Sequence, residues 1–475
     1  MSSTELIRLG ISEALDLIRT RHLSPVELTQ AYLQRITSLN SALNAYLTIM
    51  AEEALAMATA AEQKGMAGEA LGPLHGIPVA LKDNCDLAGV RMTAGTKFLK
   101  NNIATTDSEV AARLRQAGAI FLGKLHMHEW AIGATTRNPH FGPARNPWNP
   151  GCIPGGSSGG SGAALAADMA LATIGTDTGG SVRVPAALNG ISGIRPTVGR
   201  VSIRGVVPVS WTFDTIGPMA RRAEDVAHLL QVTAGYDPLE PTSVDVPVPN
   251  YFADLRSGVK GLRVALLGGH FQSEPLPTVT AAVQQTAHVL EDQGASVEEL
   301  ELPGAETTID RMSELILTDA AAYHQARRAE RPQDFGPDVL ARLNRGAAVT
   351  GVQYALARQA QREWQRQIEQ VFARYDILLA PTCGIGAPLI EESDGVETTR
   401  LLTRFTYPLN LAGIPVISIP CGFTEDHLPI SLQIAARHWQ EALVLRVAWA
   451  YQQATDWHLQ RPALTHLTSF GQQAR

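Results

Sequence analysis

Two serine-glycine clusters hold the residues best suited to chemistry: Gly155-Gly156-Ser157-Ser158-Gly159-Gly160-Ser161-Gly162 and Gly175-Thr176-Asp177-Thr178-Gly179-Gly180-Ser181-Val182-Arg183, with Ser157 and Ser181 24 residues apart. Glycine lets successive backbone N–H groups converge on a concavity that favours negative charge, and a serine beside such a nest can attack a carbonyl while the nest holds the oxyanion. The pattern reads as a hydrolase.

A serine nucleophile needs a base, and no histidine lies within ten residues of either cluster. Lysine is the alternative, because it can be neutralised by burial whereas arginine cannot. Only six of the 39 basic residues are lysine, and Lys82 ends the apolar segment Gly76-Ile77-Pro78-Val79-Ala80-Leu81-Lys82-Asp83-Asn84, which reads as a buried strand. To be half neutral near pH 8 its pKa must fall by about 2.5, at a cost of roughly 3.4 kcal/mol, within the reach of desolvation. Against this, Asp83 or Asp86 could pair with it, and Lys124, also at a strand end, is a rival. A Ser-x-x-Lys match, Ser257 to Lys260, falls in a linker.

Other chemistries fit less well. Gly155, Ser157 and Gly159 match the G-x-S-x-G pattern of a nucleophile elbow, but the lead-in Arg145 to Pro154 is too rich in proline and asparagine for an interior strand. No Lys-Ser or Lys-Thr pair follows the glycines as a phosphate loop requires. His126-Met127-His128-Glu129 could present two imidazoles from one face of a strand, yet no third metal ligand is evident. Neither metal nor cofactor is expected. The four cysteines, Cys85, Cys152, Cys383 and Cys421, are scattered singly and read as reduced packing residues.

The elements that must position these groups alternate in type. Ser24-Pro25 with Glu27 marks a helix start, with apolar spacing through Leu28, Tyr32, Leu33 and Ile36. Val110 to Gln116 reads as a helix, Ala119 to Leu122 as a strand, Leu262 to Leu267 as a strand, Val279 to Asp292 as a helix and Val297 to Leu302 as a strand. Tyr236 to Asn250 is a polar surface linker. Ala305 to Phe372 is helical, with Leu356, Ala360, Trp364, Ile368 and Phe372 as a core-facing stripe. At 45% hydrophobic residues, the 475-residue chain can bury a large α/β core. A net charge of -7 without a basic run argues against nucleic acid or an anionic membrane as partner. The N-terminus carries no basic-then-apolar leader, so the reading is cytoplasmic.

Taken with Arg195-Pro196-Thr197-Val198-Gly199-Arg200-Val201-Ser202, Asp214-Thr215-Ile216-Gly217-Pro218-Met219 and Asn410-Leu411-Ala412-Gly413-Ile414-Pro415, the clusters and the Gly76–Asn84 strand resemble the amidase signature family over nearly the whole chain. The resemblance implies one domain over 1–475, a large mixed β-sheet with helices on both faces, a signature core at about 75–220 and a variable substrate-shaping segment at about 305–372. It implies Ser181 as nucleophile, Ser157 as the bridging serine after a cis peptide from Gly156, and Lys82 as base. Backbone N–H groups of Thr178, Gly179, Gly180 and Ser181 would form the oxyanion hole. Asp177 and Arg183 would hold that turn, Gly156 and Ser158 would support the bridge, and Ala131 and Ser157 would meet the acyl group.

Members of the family cleave small amides, aryl amides or carbamates, accept esters, or serve as the glutaminase component of a tRNA-dependent amidotransferase. The stretch Val201 to Asp214 resembles the free-standing enzymes more than that component. The expectation is therefore a free-standing small-amide hydrolase, monomeric or homodimeric, with a small-molecule amide, ester or carbamate as its partner. The alternatives are a urethanase, a silent carboxylate binder and the glutaminase component of the amidotransferase.

Overall fold

The computed structural model describes residues 1–464. Thirteen strands are present: β1 (Tyr46–Ile49), β2 (Pro78–Lys82), β3 (Ile120–Leu125), β4 (Arg137–Asn138), β5 (Gly142–Pro143), β6 (Ala172–Asp177), β7 (Ser192–Arg195), β8 (Thr215–Ala220), β9 (Arg263–Leu267), β10 (Ser296–Leu300), β11 (Ile377–Pro381), β12 (Val416–Phe423) and β13 (Pro429–Ala435). Eleven form one mixed sheet in the order β1-β3-β2-β6-β8-β7-β12-β13-β11-β9-β10, while β4 and β5 pair separately. β2 runs parallel to both β3 and β6, and β8 then turns the sheet antiparallel.

Alternation along the strands divides the apolar side chains between two cores, one on each face. Val264 and Leu266 of β9, Ile377 and Leu379 of β11, and Ile417 and Ile419 of β12 join one core. Their neighbours Ala265, Leu267, Leu378, Ala380 and Val416 join the other. A sheet covered on both faces needs continuous apolar strands. β2, β3, β6 and β8 are accordingly buried at every position.

The helix predicted after Ser24 spans Pro25–Leu43 and opens with a capping box in which Ser24 accepts from the Glu27 amide and Glu27 accepts from the Ser24 amide. The other predicted elements form as Glu109–Gln116, β3, β9, Pro277–Asp292 and β10. The segment read as helical from Ala305 contains Thr308–Tyr323, Gln325–Glu330, Pro337–Ala347 and Gly351–Val371. Its predicted stripe needs two corrections: Leu356 is 53% exposed and Ala360 only half-buried, and the buried face runs Ala357, Gln361, Trp364, Ile368 and Phe372. Strict four-residue spacing drifts about 40° per step around an α-helix, so a straight buried face must mix steps of three and four. Among the described residues no helix is long and apolar enough to cross a membrane.

Candidate active site

β2 delivers Lys82 from its C-terminal end into the interior, where the side chain is fully buried. Its ammonium donates to Ser157 Oγ at 2.7 Å and to Thr176 Oγ1 at 2.7 Å. Both acceptors are neutral hydroxyls. The carboxylate of Asp83 is taken instead by Lys124, 3.5 Å away, whose Nζ also donates to the Cys85 carbonyl. The rival lysine is thus an ion-paired buried residue, and the pairing considered for Lys82 belongs to Lys124. Burial pushes Lys82 down to about 7, against the opposing influence of Cys85, Asp214 and Asp177.

The first serine cluster is a loop that opens the buried helix Gly159–Ala166, and the Gly156–Ser157 peptide is cis. Gly160 is required by close approach: a Cβ there would lie 2.5 Å from both the Ala45 oxygen and the His126 nitrogen. The Ser157 carbonyl accepts from the His128 amide at 3.0 Å, and the Ser158 amide donates to the Ser181 carbonyl at 3.2 Å. The second of these bonds joins the two clusters. Beyond β6 the chain turns through Thr178 to Ser181, and Gly180 adopts φ +122°, a region a side chain would strain.

Asp177 organises that turn. Its carboxylate accepts from the amides of Gly180 at 2.8 Å and Val182 at 3.3 Å, and from Arg183 Nε at 3.1 Å. Burial opposes its ionisation, but Arg183 and Arg195 hold the carboxyl well below the usual range. Arg183 reaches on to Gln433 Oε1 at 2.8 Å and to Asn410. Asn410 Nδ2 donates to Asp177 at 3.0 Å and to the Thr178 carbonyl at 2.7 Å.

Of the amides expected to face an oxyanion, that of Gly180 donates to Asp177 in this structure. No acceptor among the described residues takes the N–H of Gly179 or Ser181. Sequence can show that an N–H exists but not that a carboxylate three residues back consumes it.

Ser181, Thr178, Gly179, Ala131, Gly133 and Ala134 line a small cleft of about 40 Å³, together with Val209, Ile316, Leu317, Arg342 and Tyr407. A second cavity of about 150 Å³ shares Leu317, Arg342, Thr399 and Tyr407 with the cleft and is lined further by residues of the Thr308–Tyr323 and Pro337–Ala347 helices. Arg342 belongs to both. It donates to the Gly395 and Val396 carbonyls, while its buried Nε has no partner among the described residues.

The histidine pair takes a different arrangement from the one its spacing suggests. β3 ends at Leu125, so His126 and His128 are not on a strand. His126 Nε2 contacts the Gly142 carbonyl at 2.8 Å, and His128 Nε2 contacts Asp338 at 3.0 Å. Ser257 lies in the irregular chain before β9, away from this site. Several participants carry no assigned role in the sequence reading. Thr176, Asp214, Arg195 and Asn410 sit inside the quoted motifs, but Gln433 and Arg342 carry no motif at all.

Residues 27–445 match the family described as Amidase. Relatives include a protein of Roseiflexus sp. (strain RS-1) named as one of the subunits of glutamyl-tRNA(Gln) amidotransferase, 40% identical and covering 97% of this chain and 99% of its own length. A protein of the same name from Moorella thermoacetica is 39% identical over 97% of this chain and 99% of its own. A solved structure described as a vestigial protein complex that reveals the origins of an s-triazine catabolic enzyme superposes with a TM-score of 0.90 at 35% identity, covering 94% of this chain and 98% of that one.

These findings overturn the expectation of a free-standing small-amide hydrolase rather than a component of an amidotransferase. The stretch Val201 to Asp214 is outweighed by similarity along the full chain. The exclusion of nucleic acid as a partner, and of partners beyond small molecules, falls with it. Net charge bounds what one chain attracts by itself, and one component of an assembly need not supply the nucleic-acid contact.

Proposed function

The chain belongs to the amidase family, enzymes that act on amide C–N bonds, and from that premise we propose that it is the glutamine-hydrolysing subunit of a tRNA-dependent amidotransferase. The observation that carries this reading is the full-length similarity to proteins named as part of such an enzyme. The site supplies what the reaction needs. Arg342, which lines the cleft and whose buried Nε has no partner among the described residues, suits the carboxylate that glutamine carries beyond its amide.

In this reading, neutral Lys82 takes the proton of Ser157 as Ser157 takes that of Ser181. Ser181 Oγ attacks the side-chain amide carbonyl, and the developing oxyanion meets the N–H groups of Gly179 and Ser181, with Thr178 completing the turn. The C–N bond breaks as the proton returns through Ser157 to the departing nitrogen, leaving a glutamyl ester on Ser181 and free ammonia. Water then releases glutamate, with Lys82 again as base. Partner subunits would use the ammonia to amidate a glutamyl-tRNA. The chain acts as a single domain in which the helices of Thr308–Val371 wall the substrate end.

The test is ammonia release from glutamine by the chain alone and co-expressed with partner subunits, with Ser181→Ala as control. Glutamine turnover that requires Ser181 and rises in the assembly supports the reading. Cleavage of an aryl amide, ester or carbamate with no glutamine turnover in either state overturns it.

A further inference from the structure

Two buried carboxylates lie behind the nucleophile turn without an ion-pair partner among the described residues. Asp214, 7% exposed, accepts from Thr178 Oγ1 on one oxygen and from the amides of Val209, at 2.8 Å, and Ser210, at 3.2 Å, on the other. Asp319, 2% exposed, accepts from Ser210 Oγ on one oxygen and from Tyr354 OH, at 3.0 Å, on the other. Ser210 therefore bridges them, its amide bound to one carboxylate and its hydroxyl to the other. The chain of contacts runs Thr178–Asp214–Ser210–Asp319–Tyr354.

Its two ends lie in different parts of the protein. Thr178 begins the turn that carries Gly179 and Ser181, and its own carbonyl is pinned by Asn410 from the opposite side. Asp319 and Tyr354 belong to the helices Thr308–Tyr323 and Gly351–Val371, the former also contributing Ile316 and Leu317 to the cleft. Burying a carboxylate costs several kcal/mol unless its oxygens are bonded, and apolar side chains would fill the same space more cheaply. Each oxygen of both carboxylates accepts at least one bond, and Asp214 fixes the position of Thr178 relative to the cleft-lining Val209.

We propose that Asp319 and Tyr354 are positioning residues for the nucleophile turn, acting through Ser210 and Asp214 on Thr178. The helices that shape the substrate end thereby also set the alignment of the donors that receive the oxyanion. The proposal rests on Ser181 being the nucleophile.

The experiment uses the full chain and a small fluorophosphonate, whose phosphorus bonds to the serine oxygen with loss of fluoride, read by intact mass and by the labelled peptide. Its rate reports alignment of Ser181 without requiring a known substrate. The variants are Tyr354→Phe, Asp319→Asn, Thr178→Val and the Tyr354→Phe/Thr178→Val double, each checked by thermal melting. Loss of one bond in the chain is expected to slow labelling about fivefold in Tyr354→Phe, more in Asp319→Asn. The double variant is expected to be no slower than Thr178→Val, because both act along one path. On a turned-over substrate kcat falls while KM holds. Labelling at the original rate in both Tyr354→Phe and Asp319→Asn, or singles that multiply in the double, overturns the proposal. Absence of label on Ser181 in the unaltered protein overturns the reading of the site itself, and the relay with it.

Discussion

Replacing Lys82 by methionine tests whether this lysine is neutral in the folded protein. An ammonium that deprotonates near 7 when folded and near 10.4 when unfolded makes the native state bind fewer protons between those values. Stability then rises with pH through the window, and the penalty of burying Lys82 is greatest at and below pH 7. That penalty is about 4 kcal/mol at pH 7 and about 2 kcal/mol at pH 9 from the same two values. Methionine fills similar space without a charge, at the cost of leaving the Ser157 and Thr176 hydroxyls one partner short, a pH-independent loss of about 1 kcal/mol each. Lys82→Met should therefore be more stable than the parent at pH 7 by about 2 kcal/mol, and the advantage should vanish by pH 9. Urea unfolding at half-unit pH intervals, followed by circular dichroism and fluorescence, gives the difference directly. A difference that stays flat from pH 7 to pH 9 would show that Lys82 remains charged in the fold and would refute its role as a neutral base.

Four further outcomes are expected. The rate constant kcat/KM rises with pH through about 7 as Lys82 loses its proton, and a profile already level at pH 5.5 contradicts this. Arg183→Lys cannot reproduce the fork that spans Asp177, Gln433 and Asn410, so kcat should fall about 10- to 100-fold, and a change under twofold would mean the turn holds its own shape. Arg342→Gln should raise KM for glutamine about 10- to 100-fold while leaving a neutral aryl amide unaffected, an equal loss on both pointing instead to a collapsed cleft. Gly160→Ala forces a methyl group against the Ala45 and His126 backbone and should cost about 1–3 kcal/mol, so an unchanged melting temperature would show that the loop yields freely.

What was legible in the sequence was local. The Pro25–Leu43 helix announces itself through Ser24, Pro25 and Glu27, because a cap is a contact between neighbours. Lys82 stood out as a lysine closing an apolar run, and the serine loops through their glycines. The supports were not legible: Asn410 and Gln433 meet Arg183 across more than two hundred residues, and no local pattern encodes such contacts. The bond from the Gly180 amide to Asp177 was not legible either, because it depends on the carboxylate folding back over the turn. Leu356 was misplaced by reading an α-helix as if it repeated every four residues. The choice between a free-standing enzyme and one component of an assembly failed for another reason. The reaction centre is the same in both, so the residues that perform the chemistry carry little information about what surrounds it.

The sheet order also has a consequence for the growing polypeptide. Strands β1 to β8 form one contiguous half of the large sheet, with β4 and β5 paired apart, and the chain they span contains Lys82, Ser157 and Ser181. Its last strand in space, β7, pairs with β12, which leaves the ribosome about two hundred residues after β8 is complete. At about 5–20 residues per second that wait is on the order of 10–40 s. During it the edge of β7 lacks its partner, and the serine turn lacks Asn410, Gln433 and the Thr406 hydroxyl that bonds the Gly179 carbonyl. An open strand edge invites pairing with other chains, and β7 presents such an edge until β12 is made. The contacts that hold the Ser181 turn are complete only when these last segments have been made.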